Sequence, residues 1–112
     1  MKPLLIYITA RDKKQAKAIG RTLVEERLAA CANISGRIDS FYFWEGRLCS
    51  DHEAALIVKT THGLLSRLVK RVKALHSYSV PCIVALPIIG GNNDFLTWVK
   101  KETGGRKSRL PR

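Results

Sequence analysis

The sequence predicts an α+β fold in which short strands and amphipathic helices alternate around one core. Four apolar runs rich in β-branched and aromatic residues have the length of strands, and two intervening stretches place apolar residues at helical spacing. A turn signal joins the second and third of the four runs directly. The 112 residues, 46% of them apolar, suit a single domain that buries about two-thirds of its unfolded surface.

The first strand and helix follow from local signals. Residues 4–9 form a short apolar run bounded by Pro3, which predicts a buried strand. Asp12 and Gln15 have the spacing of a capping box, so a helix should begin there and continue to about Arg27. Gly20 lies on the apolar face of that helix, where a missing side chain allows close packing against a sheet.

The next stretch predicts an unusually long β-hairpin. Residues 30–44 and 48–60 read as strands, and Glu45 and Gly46 provide the turn. Each arm would extend roughly 45–50 Å, whereas a compact domain of this length has a diameter of roughly 35 Å. The hairpin therefore either folds back at Gly36 or projects from its domain, and we favour projection with pairing between copies in a closed oligomer.

The second half repeats the pattern and adds a short helix. Residues 63–75 carry one apolar stripe, typical of an amphipathic helix, and residues 82–86 form a fourth strand that Pro87 ends. Asp94 is the expected N-cap of a C-terminal helix. The order β-α-β-β-α-β is that of a ferredoxin-like α+β fold with a long β-hairpin and a short C-terminal helix.

Cysteine content and hydropathy indicate where in the cell the protein is expected. Three cysteines make a disulfide scaffold improbable, and the longest apolar runs have about five residues, far below the roughly 20 that span a bilayer. We therefore expect a soluble cytoplasmic protein with no membrane partner. Cys31 and Cys82 are predicted to be small buried residues, and Cys49, beside the hairpin turn, to be the most exposed of the three.

The net charge of +11 is unevenly distributed, since residues 100–112 alone carry +5 of it. We assign residues 1–102 to the domain and residues 103–112 to a basic, flexible tail with only Leu110 to bury. The tail is either a solvated terminus, which we favour, or an arm for nucleic acid or an anionic surface. No aromatic-rich RNA-binding motif is present, so nucleic acid is not our expected partner.

The residues contain no pattern typical of an enzyme. Residues 90–93 lack the Lys-Ser/Thr ending of a phosphate-binding loop, and no nucleophile elbow or acid pair can be nominated. The cysteines and histidines have no zinc-site spacing. His76, at a predicted helix end, is either a capping residue, which we favour, or a metal ligand.

A series of short motifs resembles the CutA family of divalent-cation tolerance proteins. Each motif alone is weak, but together they occur in order and with the family's spacing over almost the whole chain to about residue 99. The motifs are Thr9-Ala10 with Asp12, Arg27-Leu28-Ala29-Ala30-Cys31-Ala32-Asn33, Ser40-x-Tyr42-x-Trp44-x-Gly46, Glu53-x-x-Leu56-x-x-Lys59-Thr60, His76-x-Tyr78-x-x-Pro81, Leu86-Pro87-Ile88 and Leu96-x-Trp98.

The resemblance implies a homotrimer with an architecture like that of PII-type signal proteins and a role with divalent metal ions, notably copper. It also implies small-molecule sites in clefts between subunits. By motif position, the cleft residues would be Tyr42, Trp44, Glu53, Lys59, His76 and Tyr78. A cation, a carboxylate, an imidazole and aromatic walls suit a small polar ligand or a metal. The alternative is structural, with the aromatic rings buried at an interface and Lys59 paired with Glu53.

The sequence departs from the family's pattern where metal ligands would be expected. The resemblance implies a copper site built on a cysteine in the first strand and histidines at the end of the second helix. Here residues 4–9 contain no cysteine, and His76 is the only histidine at that helix end. The family's Pro-Glu is Pro81-Cys82 in this chain. The hypothesis for this chain is that His76 and Cys82 form a substitute site for copper or another divalent cation.

Overall fold

A computed structural model describes residues 2–104 and has the predicted α+β architecture. Four strands form one antiparallel sheet in the order β2-β3-β1-β4, and three helices pack against it. A 3₁₀ turn at His62–Leu64 precedes the second helix, so the α-helix there begins two residues later than predicted. The elements are β1 (Pro3–Ala10), α1 (Lys13–Glu25), β2 (Cys31–Trp44), β3 (Arg47–Thr61), α2 (Leu65–Leu75), β4 (Ile83–Pro87) and α3 (Asn93–Lys101).

The core lies between one face of the sheet and the helices α1 and α2. Because side chains alternate along a strand, the even-numbered residues of β1 and the even-numbered residues 54–60 of β3 all face this core. Gly20 of α1 confirms the predicted close approach, since an added Cβ would lie 3.0 Å from Leu56 Cδ1. The cluster includes Leu4, Ile6, Ile8, Ile19, Leu23, Leu56, Val58, Leu68 and Val72.

The helix ends follow capping chemistry. The Gln15 N–H donates to Asp12 Oδ1 over 2.8 Å, which confirms the predicted start of α1. The helix ends at Glu25, before Arg27, which lies in the left-handed region at φ 64°. The prediction for α3 was wrong in detail, because Asn92 and not Asp94 is the N-cap and accepts the Asp94 N–H.

The hairpin of β2 and β3 projects beyond the helical layer. The described chain measures 49 Å along its longest axis and 26 Å or less across. A bulge at Gly36 shifts the register of β2, as predicted, but the hairpin does not fold back there. Phe41 and Phe43, near the turn, are each 73% exposed in the single chain. The distal hairpin therefore presents aromatic surface that this chain alone does not cover.

Four sequence predictions about burial need correction. Cys82 is exposed because β4 is an edge strand, Cys31 is half-buried, and Cys49 is half-buried instead of being the most exposed. Thr103, which we assigned to the tail, is buried and its hydroxyl donates to the Val99 carbonyl. The Gly104 N–H donates to the Arg27 carbonyl, so the folded part extends to residue 104.

The remaining tail prediction concerns residues 105–112, which lie outside the described residues. Within residues 2–104, no helix combines the length and apolar character needed to cross a bilayer. The basic clusters of α1 and α2 lie on the outer faces of these helices, as the sequence predicted.

Candidate functional site

A cavity of about 470 Å³ extends along the hairpin from its base toward its turn, and its volume is within the size range of small-molecule sites. Most of its strand residues belong to the sheet face opposite α1 and α2. Its lining combines aromatic rings, small hydroxyl groups, one carboxylate and one thiol. The lining residues are Thr9, Ser40, Phe41, Tyr42, Trp44, Glu53, Tyr78, Ser79, Val80 and Cys82.

Three segments that are distant in sequence meet at this cavity. Thr9 comes from the end of β1, and the segment between α2 and β4 contributes Tyr78 and Cys82. Glu53 of β3 is paired with Ile38 of β2, two residues beyond the Gly36 bulge. The cavity therefore depends on the sheet order and on the hairpin register together.

Glu53 is the buried acid of the cavity. The residue as a whole is only 8% exposed, and its Oε2 accepts a hydrogen bond of 2.8 Å from the Tyr78 hydroxyl. Burial and this hydrogen bond raise the pKa of Tyr78 well above its usual range, so the phenol stays protonated and donates. The other oxygen, Oε1, accepts no hydrogen bond from residues 2–104. Every fully buried side-chain oxygen in these residues has a hydrogen-bond partner, so Oε1 is not fully buried. Oε1 is therefore accessible to solvent or ligand.

A second tyrosine–carboxylate pair lies further along the hairpin. The Tyr42 hydroxyl donates to Asp51 Oδ2, and this hydrogen bond raises the pKa of Tyr42 to about 12. Asp51 sits diagonally across the strand pair, because Tyr42 faces Cys49 directly. Both tyrosines are therefore neutral, and each hydroxyl group donates its hydrogen bond to a carboxylate.

His76 supports the cavity from behind and does not line it. Its Nε2 is 2.8 Å from the Thr9 carbonyl oxygen, and its Nδ1 is 3.1 Å from the Tyr78 backbone nitrogen. A carbonyl only accepts and a backbone N–H only donates, so the ring is neutral with its proton on Nε2. Its centroid lies 4.7 Å from that of the Tyr78 ring. His76 therefore fixes Tyr78 in place, and both of its nitrogens are occupied.

The structure brings together most of the predicted cleft residues. Tyr42, Trp44, Glu53 and Tyr78 line the cavity, and His76 stands directly behind them. Lys59 does not join them, since it is six residues along β3 from Glu53, or about 20 Å, and donates to Asn33 Oδ1. The alternative of a Lys59–Glu53 ion pair is wrong for the same reason.

The two predicted metal ligands, His76 and Cys82, differ in how available they are to bind an ion. Cys82 lines the cavity with an exposed thiol, whereas the His76 nitrogens are engaged. Among residues 2–104, no three side chains of His, Cys, Asp or Glu come close enough together to hold a metal ion. The described chain therefore supplies an incomplete ligand set for a closed metal site.

Sequence reasoning missed Asp51, and the hairpin register could have found it. A two-residue turn at Glu45 and Gly46 fixes the pairing of Trp44 with Arg47, which places Asp51 diagonally across from Tyr42. Thr9 was quoted only as part of a motif. Its cavity position depends on the sheet order, which places β1 beside β4.

With this geometry established, comparison with known proteins identifies the family. The family described as CutA1 divalent ion tolerance protein matches residues 4–102. The chain belongs to the CutA family. It is 48% identical over 100 residues to the divalent-cation tolerance protein CutA of Thermus thermophilus, covering 89% of this chain and 97% of that protein. A solved Cut A1 structure from the same organism has a TM-score of 0.89 at 47% identity, covering 91% of this chain and 99% of that one.

Other CutA relatives correct the predicted location. The Oryza sativa protein named CutA 1, chloroplastic, is 44% identical over 100 residues, covering 89% of this chain and 56% of that protein. The Archaeoglobus fulgidus structure, described as a periplasmic divalent cation tolerance protein, has a TM-score of 0.86 at 43% identity, with 89% of this chain and 97% of that one covered. The expectation of a cytoplasmic location is therefore wrong, because CutA domains occupy other compartments too. A domain without disulfides folds in either redox environment, so its low cysteine count does not fix its location.

Proposed function

We propose that this CutA family member acts in divalent-cation tolerance as a binding protein and not as an enzyme. In this proposal it forms a homotrimer of PII-like architecture, and the cavity along the hairpin binds a metal ion, either a divalent cation or copper in its reduced state, or a small molecule. The cavity itself is the main support, since it joins the buried Glu53 carboxylate to the exposed Cys82 thiol. Within the described residues, Glu53 accepts the Tyr78 hydroxyl and bonds no serine or cysteine of the cavity, so no activated nucleophile favours catalysis over binding.

The exposed hairpin supports the homotrimer. Two phenylalanine rings near its tip are largely exposed, and the edge strand β4 presents Val84 and Leu86 at about half exposure. Apolar surface of this kind on a long unpaired hairpin favours pairing with another copy. A closed ring of copies removes the open edges without forming an endless fibre.

Cys82 is the proposed primary ligand for the metal. A thiolate is a strong ligand for copper(I), and the cavity position of Cys82 gives the ion access from solvent. His76 would join as a ligand only if its bond to the Tyr78 backbone opened, and otherwise it positions the cavity wall. The remaining ligands would then come from a neighbouring copy or from a small molecule bound with the metal.

An anaerobic copper(I) titration against a competing chelator tests this role. We expect Cys82→Ser to weaken binding by roughly tenfold or more, because a thiolate ligand is lost. Cys49→Ser is the matched control, since Cys49 lies outside the cavity, and should bind as wild type does. Comparison with His76→Ala then shows whether the imidazole contributes. Equal affinities of wild type, Cys82→Ser and His76→Ala would remove both residues from the proposed site.

A small-molecule role without metal is the second candidate. It is favoured by the aromatic lining of the cavity and by the engagement of both His76 nitrogens. Native mass spectrometry of protein purified without added metal distinguishes the two. A retained ion supports metal binding, a retained organic mass supports the second candidate, and the same spectrum gives the number of copies in the assembly.

A further inference from the structure

The cavity has an electrostatic character opposite to that of the chain as a whole. The chain contains 20 Lys and Arg residues and has a net charge of +11. Within the described part of the chain, however, Glu53 is the only charged residue that lines the cavity, and it is an acid. Asp51 adds a second negative charge behind Tyr42. The cavity is therefore a negative site on a strongly positive protein.

The absence of a neighbouring cation distinguishes these two carboxylates from most others in residues 2–104. Elsewhere, Asp12, Glu25, Glu26, Asp39 and Glu102 each lie within 4.0 Å of an arginine nitrogen. Glu53 and Asp51 form no such pair within the described residues and accept tyrosine hydroxyls instead. A phenol leaves the carboxylate's negative charge in place, whereas an arginine would neutralise it.

We propose that this cavity binds an organic ammonium ion, with its positively charged head against the Tyr42 and Tyr78 rings and beside the Glu53 carboxylate. The proposal rests on the proposed role of the cavity as a ligand site and names the chemical class of its small-molecule ligand. Aromatic faces attract cations through their quadrupole, and hydrogen bonds from the hydroxyl groups hold the Tyr42 and Tyr78 rings beside Asp51 and Glu53. A volume of about 470 Å³ accommodates such a head group with a short substituent.

Other ligand classes fit this lining less well. An anion would approach the Glu53 and Asp51 charges with no basic lining residue to receive it. A neutral apolar molecule would remove water from Glu53 Oε1 and offer the carboxylate no hydrogen bond or charge in its place. An ammonium ion instead offers a charge to the carboxylate and alkyl groups to the rings.

The decisive comparison uses choline and its neutral carbon analogue, 3,3-dimethylbutan-1-ol, which have the same shape and differ in charge. Calorimetric titration of the wild-type protein in a buffer containing EDTA keeps divalent cations out of the measurement. We expect choline to bind roughly tenfold or more tightly than the alcohol, as a desolvated cation–π site would require. Equal affinities, or no binding of choline, would overturn the proposal without any variant being needed.

Matched variants locate the site. Glu53→Gln keeps the shape of the side chain and removes its charge, and Tyr42→Leu removes one aromatic face beside the carboxylates; each should weaken choline binding by roughly tenfold. Glu25→Gln and Trp98→Leu remove one charge and one aromatic face away from the cavity and should leave the affinity unchanged. Unchanged affinity in Glu53→Gln and Tyr42→Leu, with native circular dichroism, would refute this assignment.

This outcome is independent of the copper titration. A protein that binds copper(I) through Cys82 but not choline would keep the proposed metal function and lose this inference. A protein that binds choline in EDTA but shows no effect of Cys82→Ser on copper would keep this inference and lose the proposed metal ligand.

Discussion

Replacing Phe41 and Phe43 by threonine tests whether the hairpin associates with other copies. Both rings are 73% exposed in the single chain, and a phenylalanine side chain buries 150–250 Å² when covered. Each ring therefore leaves about 150 Å² available, which corresponds to about 3–4 kcal/mol if a neighbouring copy covers it completely. Threonine keeps the strand propensity, so the change removes apolar area and leaves the local backbone preference intact.

The expected result is a weaker assembly with an unchanged fold. Even half of this energy from both rings would raise the dissociation constant more than about a hundredfold per interface. Light scattering over a dilution series measures the mass, and circular dichroism reports the secondary structure of the same samples. Lys14→Thr, on the exposed face of α1, is the control and should behave as wild type does.

Two outcomes would refute this reasoning separately. If the double variant keeps the wild-type mass at every dilution, the two rings do not contribute to association. If the wild-type protein is already a single 12.5 kDa particle at micromolar concentration, the homotrimer itself is wrong. In that case a cleft between subunits does not exist, although the cavity described within one chain would remain.

Three further predictions concern stability. Glu45 has φ 51° in the hairpin turn, so Glu45→Asn should stabilise the protein by about 0.5–1 kcal/mol; a lower urea midpoint would contradict this. Gly20→Val should cost about 2–3 kcal/mol in the same assay, because its Cβ alone would lie 3.0 Å from Leu56 Cδ1, and an unchanged midpoint would show that the interface is adaptable. The bond to Asp51 raises the pKa of Tyr42 from 10.0 to about 12, so its contribution to stability is complete below pH 10 and is lost as the pH rises toward 12. Urea midpoints measured across this range should fall less in Tyr42→Phe than in wild type, and parallel profiles would exclude the effect.

The sequence was sufficient wherever the controlling interaction is local. The Asp12 cap and the hairpin turn involve residues within a few positions of one another, and both are as predicted. The bulge at Gly36 is also as predicted, although its partners lie across the hairpin. The close approach at Gly20 also followed from its place on the apolar face of α1. In each case the residue type favours the local structure that the fold requires at its position.

The predictions that failed depend on partners distant in sequence or on a choice between equivalent residues. Cys82 was expected to be buried because it begins an apolar strand, but β4 lies at a sheet edge, which only the strand order determines. The histidine that ends α2 was a candidate ligand because its partner at Thr9, 67 residues away, could not be known. At α3, Asn92 and Asp94 are both good N-caps, and the pattern alone could not choose between them.

The Gly36 bulge connects the length of the hairpin to the chemistry of the cavity. Side chains alternate between the two faces of a strand, so one inserted residue exchanges the faces of every residue beyond it. With the bulge, Tyr42 and Trp44 share the face of Glu53; without it, Phe41 and Phe43 would take those places. Neither phenylalanine has a hydroxyl to donate to Asp51. The extra residue therefore decides which pair of rings shares the face of the Glu53 carboxylate, and a Cβ added at Gly36 would meet open space, so the register and not a steric need for glycine gives this position its effect.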